Sequence, residues 1–214
     1  EFCREHGLGI ASFSGDQSLS LIDKGRQGDY LRFVEASLEA ASSLGCENLV
    51  LHSNGLGPGG VVLDPFDRLS GKQKTEAMAE TLKRLAPLAE RAGVTLLLEA
   101  LNTRVDHRGD FLSSTQRAAE LVASAGSRRI KILYDIYHMQ IMDENIIDTL
   151  KRYIDLIGYI HVADVPGRHE PGTGEINFPN VMAALREMGY GGFIGFELSP
   201  LREPLGAAAL LLAL

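Results

Sequence analysis

Cysteine is nearly absent from the 214-residue sequence, which contains only Cys3 and Cys46 and no CxxC spacing. That excludes a small disulfide-stapled scaffold and predicts two reduced thiols in a cytoplasmic protein. A basic surplus is lacking as well: 21 Lys and Arg stand against 28 Asp and Glu, a formal net charge of −7. This balance offers no general attraction to phosphate backbones or anionic lipid, so neither nucleic acid nor membrane is an expected partner. Long apolar runs are missing too. The longest, Leu205 to Leu214, is far short of the roughly 20 residues that span a bilayer, and no basic-then-apolar signal opens the chain. No low-complexity tract, charge block, short repeat or linker divides it, which predicts one domain over residues 1–214. P-loop, nucleophile-elbow and HExxH motifs do not occur.

What is present is an alternation of short β-rich runs and longer helical patterns, the signature of repeated βα units on a mostly parallel sheet. Six strands are predicted: Leu8 to Phe13, Asn48 to His52, Val94 to Glu99, Ile130 to Asp135, Gly158 to Ala163 and Phe193 to Glu197. Helices are predicted from Tyr30 to Leu44, with Leu31, Val34, Leu38 and Ala41 on one face and a stop at Gly45, and from Thr75 to Arg91, stopping at Gly93. A third runs from Phe178 to Met188 behind Asn177 as N-cap. The strands are apolar on both faces, as in Thr95-Leu96-Leu97-Leu98, which suits strands covered by helices outside and a barrel core inside. The predicted class is therefore α/β, a TIM (β/α)8-type barrel. Eight units need roughly 250 residues, so about six strands are expected here, with the N-terminal one to two βα units lying outside the chain. Gly55 to Gly60 formally matches GxGxxG, but Pro58 and the following Val61-Val62-Leu63-Asp64-Pro65 open no helix, so dinucleotide binding is not expected.

Polar residues sit at the ends of four successive predicted strands: Glu99, Asp135, His161 and Glu197, spaced 36, 26 and 36 residues apart. Each interval is about one βα unit, which places the four at one level of a common barrel mouth. Three crowded carboxylates repel unless a cation joins them. With one imidazole they form an oxygen-rich set suited to Mn²⁺ or Mg²⁺ and able to hold Co²⁺ or Zn²⁺.

The runs Tyr134-Asp-Ile-Tyr-His-Met-Gln-Ile-Met142, His161-Val-Ala-Asp-Val-Pro-Gly-Arg-His-Glu-Pro-Gly-Thr-Gly-Glu-Ile-Asn177 and Gly195-Phe-Glu197 closely resemble the hydroxypyruvate isomerase family, within the xylose-isomerase-like barrel superfamily. The resemblance extends from Leu8 to Pro200. It implies a metal-dependent barrel that interconverts hydroxypyruvate and tartronate semialdehyde in small-molecule carbon metabolism. By position it implies that Glu99 and Glu197 bind metal and act as acid and base, that Asp135 is the metal aspartate and that His161 is the remaining ligand. His138 and Arg168 resemble residues that hold substrate oxygens, Arg168 by pairing with a carboxylate. Asn102, His107 and His52 are further candidates for contact with a small hydroxy-carbonyl acid or sugar. His169 and Glu170 are expected to brace the loop as a charged pair. The sequence departs from the family at Ala100, where a Pro is common, and at Arg108-Gly109-Asp110-Phe111, where a Pro-Gly-Tyr-Phe-like turn is usual.

Two other readings remain open at this stage. A ketose 3-epimerase or other sugar isomerase of the superfamily would use the same metal and glutamate pair. A non-catalytic metal- or metabolite-binding barrel, or an inactive truncated product, would keep the fold without turnover. A homo-oligomer is compatible with either. The superfamily's zinc-dependent abasic-site endonucleases are disfavoured by the charge of −7.

Overall fold

The computed structural model describes residues 2–142, 145–201, 203, 204, 206 and 207. All of the apolar run Leu205 to Leu214 except Gly206 and Ala207 lies outside the described residues. A short helix α1 (Phe2–Glu5) is followed by β1 (Phe13–Ser14), α2 (Gln27–Leu44), β2 (Asn48–Leu51), α3 (Gly71–Ala92), β3 (Thr95–Glu99), α4 (Thr115–Ala125) and β4 (Ile130–Asp135). Then come α5 (Ile136–Ile141), α6 (Ile146–Tyr153), β5 (Ile157–Val162), α7 (Phe178–Glu187) and β6 (Phe193–Phe196). The six strands are parallel and follow one another in sequence order across one sheet. Among the described residues no helix is long and apolar enough to cross a membrane.

Alternation along the strands sorts side chains between two faces. Leu49, Leu51, Leu96, Leu98, Ile130, Ile132 and Ile160 join the large core shared with the helices. Val50, Leu97, Leu133 and Tyr159 form a separate inner layer, so the sheet curls around its own apolar face as part of a barrel. Two residues beyond Leu97, Leu133 and Tyr159 on that inner face stand Glu99, Asp135 and His161. The step of two is what turns an apolar floor into a polar mouth. Gly195, opposite His161 on β6, belongs to the same layer. A Cβ there would lie 2.8 Å from the Tyr159 ring and 3.1 Å from His161, so glycine makes room for both rings.

The predicted helices are present, the first two with earlier starts and the one after Asn177 beginning at Phe178 as predicted. In α2 the buried face is Tyr30, Val34, Leu38 and Ala41, with Leu31 only partly covered. The helix predicted from Thr75 begins at Gly71, because Ser70 and Gln73 form a reciprocal capping box. Gly45 and Gly93 close α2 and α3 in the left-handed conformation, as predicted. The first strand is the largest difference. Leu8 to Ser12 are not paired as a strand, and β1 comprises only Phe13 and Ser14. The Asn48 side-chain amide donates to the Ala11 carbonyl at 2.9 Å, supplying from a side chain what a ladder bond would have given. After β4 the polypeptide turns directly into α5, a helix that was not predicted, and this puts His138 in a helical first turn. The Gly55–Gly60 loop contains a single 3-10 turn over Pro58–Gly60 and no helix before Gly71, which matches the reading of that motif.

Candidate metal centre and active site

Glu99, Asp135, His161 and Glu197 each offer a ligand atom within 4.8 Å of all the others. They do not share one rung of the sheet. Glu99 lies opposite Leu133, two residues short of Asp135, while Asp135 pairs with His161, and Glu197 stands beyond the last pair, Val162 with Phe196. Barrel strands are tilted, so groups at one level of the mouth occupy staggered rungs. This corrects the expectation of a common register while keeping the convergence.

The two oxygens of Asp135 do different things. Oδ1 accepts from the His138 backbone N–H at 3.0 Å, capping α5, and Oδ2 lies 3.8 Å from His161 Nδ1 and 3.9 Å from the Arg168 guanidinium. His161 Nδ1 is 3.2 Å from Glu197 Oε2 and 3.7 Å from Glu99 Oε1. His161 Nδ1 and Glu99 Oε1 are nevertheless buried without an aligned hydrogen bond. Unsatisfied buried acceptors and a central imidazole are a costly arrangement for a metal-free protein and a fitting one for a divalent cation.

The electrostatics follow from this crowding. Burial opposes charge on His161, but the Glu197 and Glu99 carboxylates outweigh it and push the imidazole up to about 10. Burial raises Glu99 too, yet His161 and His52 hold it well below the usual carboxylate range. Contact with His161 lowers Glu197, while burial raises Asp135. In the absence of an ion, a protonated His161 does the cation's work among the carboxylates.

Around this centre the remaining predicted residues fall into two groups. His52 and Arg168 touch it. His52 Nε2 is 3.2 Å from Glu99 Oε2, and its Nδ1 is 3.3 Å from Asp16 Oδ1. Arg168 reaches Glu197 Oε2 at 2.6 Å and lies over the Tyr137 ring at 5.2 Å. Asn102, His107 and His138 form a buried group beside it. The His138 Nε2 is 3.7 Å from Asp135 Oδ2 and has no hydrogen-bond partner among the described residues. His107 Nδ1 is joined to the Gly60 carbonyl at 2.8 Å, which ties the loop after β3 to the loop after β2. Asn102 is bound within its own turn, its oxygen accepting from the backbone N–H groups of Val105 and Asp106. Together with Asp106, His107 and His138 make a second cluster of ligand-type atoms, but these contacts already occupy much of it.

Sequence reading missed Asp16, whose buried carboxylate accepts from the His52 backbone N–H at 2.5 Å. It also missed the role of Asp164, wholly buried at the end of β5. That carboxylate accepts from four backbone N–H groups, of Val165, Gly172, Gly174 and Ile176. The loop so gathered carries Arg168 in a left-handed conformation, φ 59°. His169 and Glu170 do brace this loop, but each reaches the segment after β6 and not the other: His169 Nδ1 lies 2.6 Å from the Ser199 carbonyl, and Glu170 Oε2 accepts from Leu201 N–H at 2.8 Å. A cavity of about 440 Å³ opens over the inner layer, lined by Val50, His52, Glu99, Tyr159, His161 and Glu197.

A family profile described as xylose isomerase-like TIM barrel matches residues 1–213. This chain belongs to the xylose isomerase-like TIM barrel family. Within the family it is 34% identical over 188 residues to a Homo sapiens protein provisionally named hydroxypyruvate isomerase, covering 87% of this chain and 65% of that one. It is 32% identical over 187 residues to a protein of Cupriavidus necator named 2-oxo-tetronate isomerase, covering 87% and 68%. The chain spans about two thirds of the length of the curated relatives it matches. A crystal structure described as an AP endonuclease of family 2 from Brucella melitensis superposes with a TM-score of 0.87 at 27% identity, covering 99% of this chain and 80% of that one.

Proposed function

We propose that this chain carries the active site of a cytoplasmic, metal-dependent aldose-ketose isomerase acting on a small 2-oxo acid with a neighbouring hydroxyl, hydroxypyruvate first and 2-oxo-tetronate as its four-carbon relative. The observation that carries this reading is the convergence of Glu99, Asp135, His161 and Glu197 within 4.8 Å beside a cavity that Glu99, His161 and Glu197 line, with the Arg168 guanidinium held on Glu197. These four residues would hold Mn²⁺ or Mg²⁺, with Co²⁺ or Zn²⁺ as substitutes. Bound there, the ion supplies Lewis-acid polarisation of the substrate carbonyl and stabilises the charge of an enediolate.

The protein's own residues perform the proton transfers. Converting hydroxypyruvate to tartronate semialdehyde removes a proton from carbon 3 and delivers one to carbon 2, while the hydroxyl proton passes between the two oxygens. Glu197 is kept ionised by His161 and its side chain is 54% exposed, so it can reach substrate in the cavity and accept the first proton. Glu99, on the other side of His161 and ionised at rest, takes a proton from His52, which Asp16 and Glu99 hold protonated 3.2 Å away, and delivers it to carbon 2; the proton left on Glu197 passes to solvent, from which His52 regains its own. In the reverse direction the two exchange tasks. Arg168, the planar two-pronged donor of the site, pairs with the substrate carboxylate. His138 donates to a substrate oxygen. The acid excess of the chain favours a small-molecule substrate over a nucleic acid.

The test is turnover of hydroxypyruvate with Mn²⁺, followed by tartronate semialdehyde formation. Glu99→Gln and Glu197→Gln are expected each to lower the rate by at least about 100-fold with the circular dichroism spectrum unchanged. Near-normal rates in both variants remove the glutamates from the mechanism. Epimerised ketose without any aldehyde acid assigns the site to a 3-epimerase instead.

A further inference from the structure

The Asn102 side chain is oriented without ambiguity. Its Oδ1 accepts from two backbone N–H groups, of Val105 and Asp106, each at 3.0 Å. An amide turned the other way would face two donors with its own NH2 group, so Nδ2 must lie on the opposite side. There it has two neighbours, both at 2.7 Å: Asp106 Oδ2 and His138 Nδ1. Asp106 Oδ2 also accepts from the Tyr137 hydroxyl at 2.9 Å, which anchors the carboxylate. One amide hydrogen serves Asp106 and the other serves His138. The Asn102 backbone N–H points at the same His138 nitrogen from 3.3 Å. Two donors aimed at one ring nitrogen leave it only the acceptor role.

We infer that Asn102 is a positioning residue, which fixes His138 as the Nε2–H tautomer by donating to Nδ1 and so turns the free edge of a fully buried imidazole into a hydrogen-bond donor facing the carboxylate cluster. The ring cannot swing away, because Tyr137 and His107 meet it edge-on with centroids 5.3 Å distant in each case. Its Nε2, 3.7 Å from Asp135 Oδ2, has no hydrogen-bond partner among the described residues. A donor reserved at this place suits an oxygen that gains negative charge during the reaction. Asn102, expected from the sequence to touch substrate, acts one residue further back. This inference rests on the isomerase reading for its effect on rate, but the tautomer itself is independent of that reading.

The experiment is a long-range ¹H–¹⁵N correlation spectrum of the protein labelled with ¹⁵N-histidine, with the His138 signals assigned by their loss in His138→Gln. In the unsubstituted protein the expected pattern is a protonated Nε2 and an unprotonated Nδ1; a proton on Nδ1 overturns the inference, whether or not the protein turns over hydroxypyruvate. Asn102→Asp keeps the acceptor for Val105 and Asp106 and removes both amide donors. It is expected to draw the proton onto Nδ1 and to lower kcat on hydroxypyruvate about 10- to 100-fold, the value of one hydrogen bond to a charged group, with a smaller change in KM. An unchanged His138 spectrum in a folded Asn102→Asp protein also overturns it. Absence of turnover in the unsubstituted protein, with the tautomer as expected, defeats the isomerase reading and leaves the Asn102 assignment standing.

Discussion

At the scale of single residues, the acids behave according to what their second oxygen meets. In Asp135 one oxygen caps a helix and the other faces the cluster. In Asp110 one oxygen accepts from Ser53 and from the Leu112 N–H, and the other is buried with no partner among the described residues. Burial therefore pushes the Asp110 carboxyl up to about 6. An acid raised on folding binds more protons native than unfolded, so its contribution to stability falls as pH rises from about 4 to about 6 and is level above. The interval is worth roughly 3 kcal/mol. Asp110→Asn cannot ionise. Its stability relative to the unsubstituted protein is therefore expected to improve steadily across that window in urea unfolding at a series of pH values, and a difference that does not vary with pH rejects the account. Glu99, Asp135 and Glu197 were legible in the sequence because each is the polar residue that ends an apolar run, and His161 because it stands inside the next run at an interval of about one βα unit, a pattern that needs no tertiary knowledge. Asp16 was not, because the strand before it is only two residues long and leaves no run to end.

At the scale of elements, the loop from Asp164 to Ile176 is built on one carboxylate in place of a hydrophobic pattern. The sequence showed its resemblance to a known loop but not its construction, since acceptance from four backbone N–H groups has no periodicity to read. Gly174 is part of that construction: a Cβ there would fall 2.1 Å from the Val165 carbonyl oxygen. Asp164→Asn sets an NH2 group against the N–H groups of Gly172 and Gly174, which share one carboxylate oxygen. Each buried donor left unsatisfied costs about 1–3 kcal/mol. The amides of 172–176 are then expected to exchange with deuterium faster while those of β3 and β4 keep their protection. KM for a carboxylate substrate is expected to rise more than kcat falls, because Arg168 rides on this loop. Unaltered exchange in the segment sinks the claim. His138 shows the converse limit of sequence reading. No helix was predicted directly after Asp135, and the Asp135 side chain, by capping, starts one there.

At the scale of the molecule, a cation joining β3, β4, β5 and the turn after β6 adds stability that grows with the logarithm of its concentration over its dissociation constant. With a divalent ion at 100 times its dissociation constant the gain is about 2.7 kcal/mol, so the Tm of the metal-free protein is expected to climb with added Mn²⁺. His161 must lose its proton to become a ligand, and that proton is held up to about pH 10. The increase in Tm is therefore expected to grow with pH over the range 6 to 8, with proton release visible by calorimetry in buffers of different ionisation enthalpy. A Tm indifferent to Mn²⁺ at every pH excludes the site.

The staggered rungs have one further consequence. Since β3, β4 and β5 and the turn after β6 each bring one ligand and no segment brings two, a nascent or partly melted chain cannot grip an ion with a local fragment. Capture demands consent from four units at once. Any cation that resides there acts as a witness that the curl of the sheet is complete, and its escape is an early sign that a single unit has come loose.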